Sequence, residues 1–303
     1  MRRILLAALG LLFSGTVAAA EFRDLTATFT ATWDATQQLP EPQRVAAMKQ
    51  ALMAQYPEFY GRGEAAQQDA RISRAIKRFP AIRAAYLEQA QRFSAAMQQH
   101  LQTFNAVFPD FRLTVPTELV HSLGEMNGGT RELNGKTHLI FGADMIAALD
   151  PKGDAAPLFH HELFHVLHQQ HFTCSEDIVW SHMWIEGLAT YVSAVMNPQA
   201  NEKELLLDYP AGMASATRAQ LPDAWAQLNT VLDSADEKVN EDLFSMGDKT
   251  DKLPPRRAYY LGYLIAKDAA KTHDLPALAK LDCKQVRALV GATVARFAKE
   301  SAQ

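Results

Sequence analysis

Three neighbouring side chains set the reading of this sequence: His161, Glu162 and His165, in the run Phe159-His160-His161-Glu162-Leu163-Phe164-His165. Residues four apart on a helix differ by about 40° in direction, so both imidazoles leave one face and reach a common ion. Zinc accepts neutral imidazole nitrogen, prefers four ligands, and leaves one position to water where it is catalytic. Glu162, next to His161, would point beside such an ion, where its carboxylate takes a proton from zinc-bound water. The flanking Leu158, Phe159, Leu163, Phe164, Val166 and Leu167 suit a buried helix. In such surroundings two histidines and a glutamate are costly without partners, and a metal removes that cost.

Two positions compete for the third ligand. His168 and His171 continue the run at three-residue steps. In that register His171 would be the ligand, as in the metzincin pattern, and the helix would end in a sharp turn at His168. That pattern has a glycine at the turn, and a histidine there carries roughly 1 kcal/mol of left-handed backbone strain. The rival is Glu186 in Trp184-Ile185-Glu186-Gly187-Leu188-Ala189-Thr190-Tyr191, on a second helix predicted over residues 181–196. Gly187 and Ala189 would let the two metal-bearing helices approach closely.

This pair of motifs resembles the gluzincin metallopeptidases, in which His-Glu-x-x-His is followed about twenty residues later by Glu-Gly with alanine and tyrosine after it. The chain looks most like the predicted Zn-dependent proteases of that type, over roughly residues 111–270. The resemblance implies Zn2+ held by His161, His165 and Glu186, with Glu162 as the base. It also implies a tyrosine beyond the third ligand that stabilises the oxyanion. Tyr260 is the first choice and Tyr259 the second, in Pro254-Pro255-Arg256-Arg257-Ala258-Tyr259-Tyr260, with Tyr263 one turn on. Two departures stand out. Thr190 replaces the aspartate of thermolysin-like members, and Gly124-Glu125-Met126-Asn127 lacks the glutamate of the aminopeptidase Gly-x-Met-Glu-Asn motif.

Positioning these groups requires a scaffold. Residues 22–101 are helical in pattern, with amphipathic helices over 42–55 and 64–79, a break or kink at Pro80, and a long helix over 82–108. Beyond Pro109 the pattern changes. Residues 111–115, 119–123 and 137–141 alternate as strands, with turns at Gly124, Asn127-Gly128-Gly129 and Asn134-Gly135. They predict a small antiparallel sheet beside the metal helix, with the last strand, 137–141, or its edge as the place where an extended peptide can add. A short helix follows over 144–149, and Pro157 suits the first turn of the metal helix. Residues 234–252 read as a solvated acidic loop or a lid, and residues 276–302 as terminal helix. The expected fold is therefore α+β and mainly α-helical, a zincin-like metallopeptidase core over residues 109–303 preceded by a helical N-terminal region over 21–108.

Residues 1–20 are a different kind of segment. Arg2 and Arg3 precede a short apolar run and the small residues Ala18-Ala19-Ala20, the pattern of a secretory signal peptide cut after Ala20. That predicts a periplasmic or secreted protein without stable membrane insertion. Removing the two arginines leaves 28 basic against 34 acidic side chains, a net charge of −6 that argues against nucleic acid as a partner. The two cysteines, Cys174 and Cys283, lack thiolate-metal spacing and in an exported protein either pair or stay as thiols. The function that follows is an exported zinc-dependent peptidase acting on a peptide or protein substrate. The alternative, from the Ala- and Gln-rich helical half, is a non-catalytic binding or adaptor protein with a structural metal site.

Overall fold

The structure is a computed structural model that describes residues 22–153, 155–246 and 252–301 of the 303-residue chain. The signal-peptide reading falls on residues 1–20, outside the described residues. In chain order the elements are β1 (Phe22–Asp24), α1 (Thr26–Ala35), α2 (Glu41–Gln55), α3 (Pro57–Tyr60), α4 (Ala65–Val107), β2 (Thr117–Val120), β3 (Gly128–Leu133), β4 (Lys136–Gly142), α5 (Ala143–Leu149), α6 (Ala156–His168), α7 (Val179–Met196), α8 (Met213–Ala219), α9 (Leu221–Val231), α10 (Glu237–Phe244), α11 (Arg257–Ala269), α12 (Leu275–Leu278) and α13 (Cys283–Ser301). The fold is α+β and mainly helical. Among the described residues no helix is long and apolar enough to cross a membrane.

The sheet corrects the expectation of an antiparallel one. Its order is β1-β2-β4-β3, with β1 parallel to β2, β2 parallel to β4, and β3 antiparallel to β4. Parallel neighbours need long crossovers. Here α1 to α4 connect β1 to β2, and the β3 hairpin arm lies between β2 and β4 in sequence. The predicted strand over 111–115 does not form. Phe111 and Leu113 are buried, with Phe111 packed against Phe104 of α4 at 5.0 Å between ring centroids. Their alternation records burial under a helix rather than pairing in a ladder. The glycines read as a turn at 128–129 instead open β3. The tight loop is at Asn134-Gly135, both with positive φ, as a two-residue hairpin on right-twisted strands requires.

Pro80 neither breaks nor ends its helix: α4 runs through it for 43 residues. Proline in a helix interior costs about 3 kcal/mol. Pro80 itself is exposed, while Ile76, Phe79, Tyr86 and Phe93 bury the opposite side of the helix. That packing outweighs one lost hydrogen bond. The N-terminal region is likewise not all helical, because Phe22–Asp24 contributes the outermost strand β1. One hydrophobic cluster runs from Phe29 through Phe159 and Leu188 to Val294 and joins residues on both sides of position 108. Residues read as acidic loop contain α10, capped by Asp236, whose side chain accepts from the backbone N–H of Lys238 and Val239; residues 247–251 lie outside the described residues. Cys174 and Cys283 form a disulfide, tying the segment after α6 to the start of α13.

Candidate metal centre

The site is built on α6 and α7. Pro157 lies in the first turn of α6, where its missing N–H costs nothing. Ser193 of α7 donates to the Pro157 carbonyl at 2.7 Å. Asn197 donates to His160 Nδ1 at 2.8 Å, which leaves His160 Nε2 to donate to Thr103 Oγ1 of α4 at 2.9 Å. His160 is therefore a buried strut that fixes the rotation of α6 between its two neighbours. That rotation aims His161 and His165 at α7.

On α7, Glu186 meets them. Its Oε2 lies 3.5 Å from His161 Nε2 and its Oε1 3.6 Å from His165 Nε2, while the two Nε2 atoms are 2.9 Å apart. These three are the group among the described residues that could hold a metal ion, their ligand atoms all within 4.8 Å of one another. His171 is exposed and stands outside this group, and His168 is buried between the rings of Phe164 and Phe172. Of the two sets of three considered from sequence, the structure brings together the one with Glu186. Gly187 does not serve the α6–α7 approach predicted for it. A Cβ there would lie 2.2 Å from the backbone carbon of Gly262, so it permits close contact between α7 and α11.

Glu162 sits beside the group, against β3. A Cβ on Gly128 would come within 2.7 Å of Glu162 Cγ, so a side chain there would displace the Glu162 carboxyl arm. Burial pushes the Glu162 carboxyl up to about 7, against the opposing pull of His161. Its Oε2 is enclosed and has no hydrogen-bond partner. Burial also acts to raise Glu186, but His165 and His161 outweigh it and hold that carboxyl at about 2. Burial lowers His165 to about 4. For His161 burial acts downward too, but the bond to Glu186 and the charge of Glu162 leave it raised. The arrangement thus holds one ionised carboxylate between the imidazoles and a second carboxyl poised near neutrality.

These groups lie in a cleft of about 470 Å³. The strand expected to receive a peptide, β4, is paired on both sides, with β2 and β3, so it has no free edge; the cleft wall that offers one is the start of β3. Gly142 N–H donates to the Asn127 carbonyl at 2.9 Å. Because bonding alternates along an antiparallel ladder, the backbone groups of Gly128, Thr130 and Glu132 point away from β4, at the free edge. The lining also includes Arg256 and Tyr259 at the start of α11. Burial, then the charge of Glu186, raises the Tyr259 phenol above its ordinary range, which keeps the proton on the oxygen.

Tyr260, the first choice from sequence, does not line this cleft. One residue on along a helix turns it about 100° away. It packs with Leu207, Met213 and Ala214, and its hydroxyl accepts from Arg218 Nε at 3.0 Å. Thr190 Oγ1 donates to the Glu186 carbonyl at 2.8 Å, so it supports no histidine. The sequence pointed to Gly128 only as part of a turn and to no role for Arg131, Glu176 or Arg256, all of which line the cleft. Arg256 was visible as a charge three residues before Tyr259, one helical turn away. No family model, curated protein or solved structure matches this chain.

Proposed function

We propose that the chain is an exported zinc-dependent peptidase of gluzincin type with a zincin-like core. One observation carries the reading: two imidazoles and a carboxylate from neighbouring helices converge in an open cleft, with a second, unpartnered carboxyl beside them. The donor set fits zinc. Ligand atoms of a tetrahedral zinc lie roughly 3.3–3.5 Å apart, given bonds of about 2.0–2.2 Å. The separations of 2.9, 3.5 and 3.6 Å agree to within about half an ångström.

In this reading His161, His165 and Glu186 hold the ion, which supplies Lewis-acid polarisation of the scissile carbonyl and of water. Glu162 takes the proton of the attacking water on Oε2 and passes it to the leaving amine. A carboxyl near 7 suits both transfers at neutral pH. Tyr259 keeps its proton and donates it as a hydrogen bond to the carbonyl oxygen as charge develops there. The free edge of β3 receives the substrate backbone as an added antiparallel strand. The reading of a non-catalytic protein with a structural metal is disfavoured by the cleft, since a structural zinc site is closed by a fourth protein ligand.

The test combines zinc analysis with cleavage of a peptide library, using wild type and Glu162→Gln. Near-stoichiometric zinc in both proteins and turnover in wild type alone is the expected result. Hydrolysis at equal rates in the two proteins rejects the role of Glu162, and a metal content below about a tenth of an equivalent after chelator-free purification rejects the site.

A further inference from the structure

Two adjacent arginines open α11, and they are used in opposite ways. Arg257 is fully buried. It donates to Gln227 Oε1 and to the carbonyls of Asp242 and Pro254, and it pairs with the Asp242 carboxylate. Its charge is spent inside the fold. Arg256 faces the cleft. Its Nη1 makes a long contact, 3.4 Å, with the Phe244 carbonyl, and its guanidinium also hydrogen-bonds to the Tyr259 side chain. Its Nε is enclosed and has no hydrogen-bond partner. Among the described residues no carboxylate pairs with it.

The side chain is nonetheless held in place. The guanidinium lies 4.1 Å from the Tyr259 ring centroid and 5.6 Å from that of Tyr209. The Arg256 backbone is left-handed, with φ of 58°. A non-glycine residue pays about 1 kcal/mol or more for that conformation, and such strain tends to persist where a side chain must be aimed.

An oriented guanidinium without an anion, on the wall of an open cleft, is a carboxylate receptor. The cleft's other cation, Arg131, already faces Glu125 at 3.8 Å. We propose that Arg256 binds a carboxylate of the substrate, making this a peptidase selective for anionic peptides. This rests on the peptidase reading above and adds the substrate class. The carboxylate has two sources, the α-carboxylate of a peptide C-terminus and an Asp or Glu side chain near the scissile bond.

The experiment uses one fluorogenic peptide in three forms: free C-terminus, C-terminal amide, and C-terminal amide with a glutamate flanking the scissile bond. Wild type is expected to favour one carboxylate form over the plain amide by roughly 10- to 100-fold in kcat/KM, mainly through KM. Preference for the free C-terminus identifies a terminal carboxylate, and preference for the amide with the flanking glutamate identifies a side chain. In Arg256→Gln that ratio falls to near one, and Arg256→Lys keeps part of it. An unchanged ratio in Arg256→Gln, or no discrimination by wild type, overturns the proposal. The same peptides are also titrated by fluorescence anisotropy into Glu162→Gln and into Glu162→Gln/Arg256→Gln. If wild type hydrolyses none of the peptides, the peptidase reading fails. Loss of carboxylate-dependent binding in the double variant still supports the Arg256 receptor, and equal binding by both variants rejects it.

Discussion

Replacing Gly187 by alanine tests whether the contact between α7 and α11 sets the position of Glu186. The new Cβ would lie 2.2 Å from a backbone carbon of Gly262 and 2.5 Å from its carbonyl oxygen. Carbon atoms in contact sit roughly 3.5–4.0 Å apart, so the helices must part by about 1 Å or more. Backbone on both sides leaves no flexible side chain to move instead. Overpacking of this kind costs about 1–3 kcal/mol, offset by about 0.5–1 kcal/mol gained from alanine in a helix. The net loss of up to about 2.5 kcal/mol lowers the melting temperature by up to about 4 °C for a chain of this size. Gly291 of α13 is the control. There the nearest atom to an added Cβ is Arg287 Nη1 at 2.2 Å, the far end of a long surface side chain that can swing aside. Gly291→Ala is expected to be neutral to stabilising by up to about 1 kcal/mol, since it gains the same helix preference without the backbone clash. Calorimetric melting of the three metal-free proteins reads the difference. Because Glu186 precedes Gly187 and Tyr259 stands one turn before Gly262, Gly187→Ala should also bind zinc more weakly. Equal melting temperatures for Gly187→Ala and Gly291→Ala would refute the packing argument.

The two tyrosines separate by function. Tyr259→Phe removes the donor facing the cleft and is expected to lower kcat by roughly 100-fold with zinc retained. Tyr260→Phe leaves the cleft intact and should stay within a few-fold of wild type; the reverse order in steady-state assays would reject the assignment. The second prediction concerns pH. Burial lowers His168 from 6.5 to about 3, so the folded chain keeps it neutral while the unfolded chain takes up a proton. The stability that depends on a neutral ring is intact above pH 6.5 and is lost as pH falls towards 3. At pH 4.5 the loss is about 2–3 kcal/mol. His168→Phe, stacked between Phe164 and Phe172, should remove that part of the slope in denaturant titrations at a series of pH values. An unaltered slope would show that the ring is protonated in the fold.

The sequence by itself determined whatever depends on local spacing. His161 and His165 share a face because helical geometry demands it, and α2, α5 and α7 lie within a few residues of their predicted spans, while α6 opens with Pro157 in its first turn as expected. The turn at Asn134-Gly135 was legible because a two-residue loop needs positive φ, but the strand before it, β3, was not expected from the sequence. Glu186 was found by its motif, but its meeting with the imidazoles depends on how α6 and α7 pack, which the motif alone does not set. Whatever depends on long-range partners was decided by the tertiary structure. Strand direction in the sheet follows from the crossover through α4, and Phe111 and Leu113 alternate in burial without a ladder to join. Pro80 is tolerated because the far side of its helix is buried. Tyr259 and Tyr260 are equivalent in composition and nearly so in position. Only the rotation of α11, locked by Arg257 in its buried cluster and by Gly262 against Gly187, turns the first into the cleft and the second away. Side-chain direction about a helix axis is set by what the helix packs against, and that information lies in residues distant along the chain.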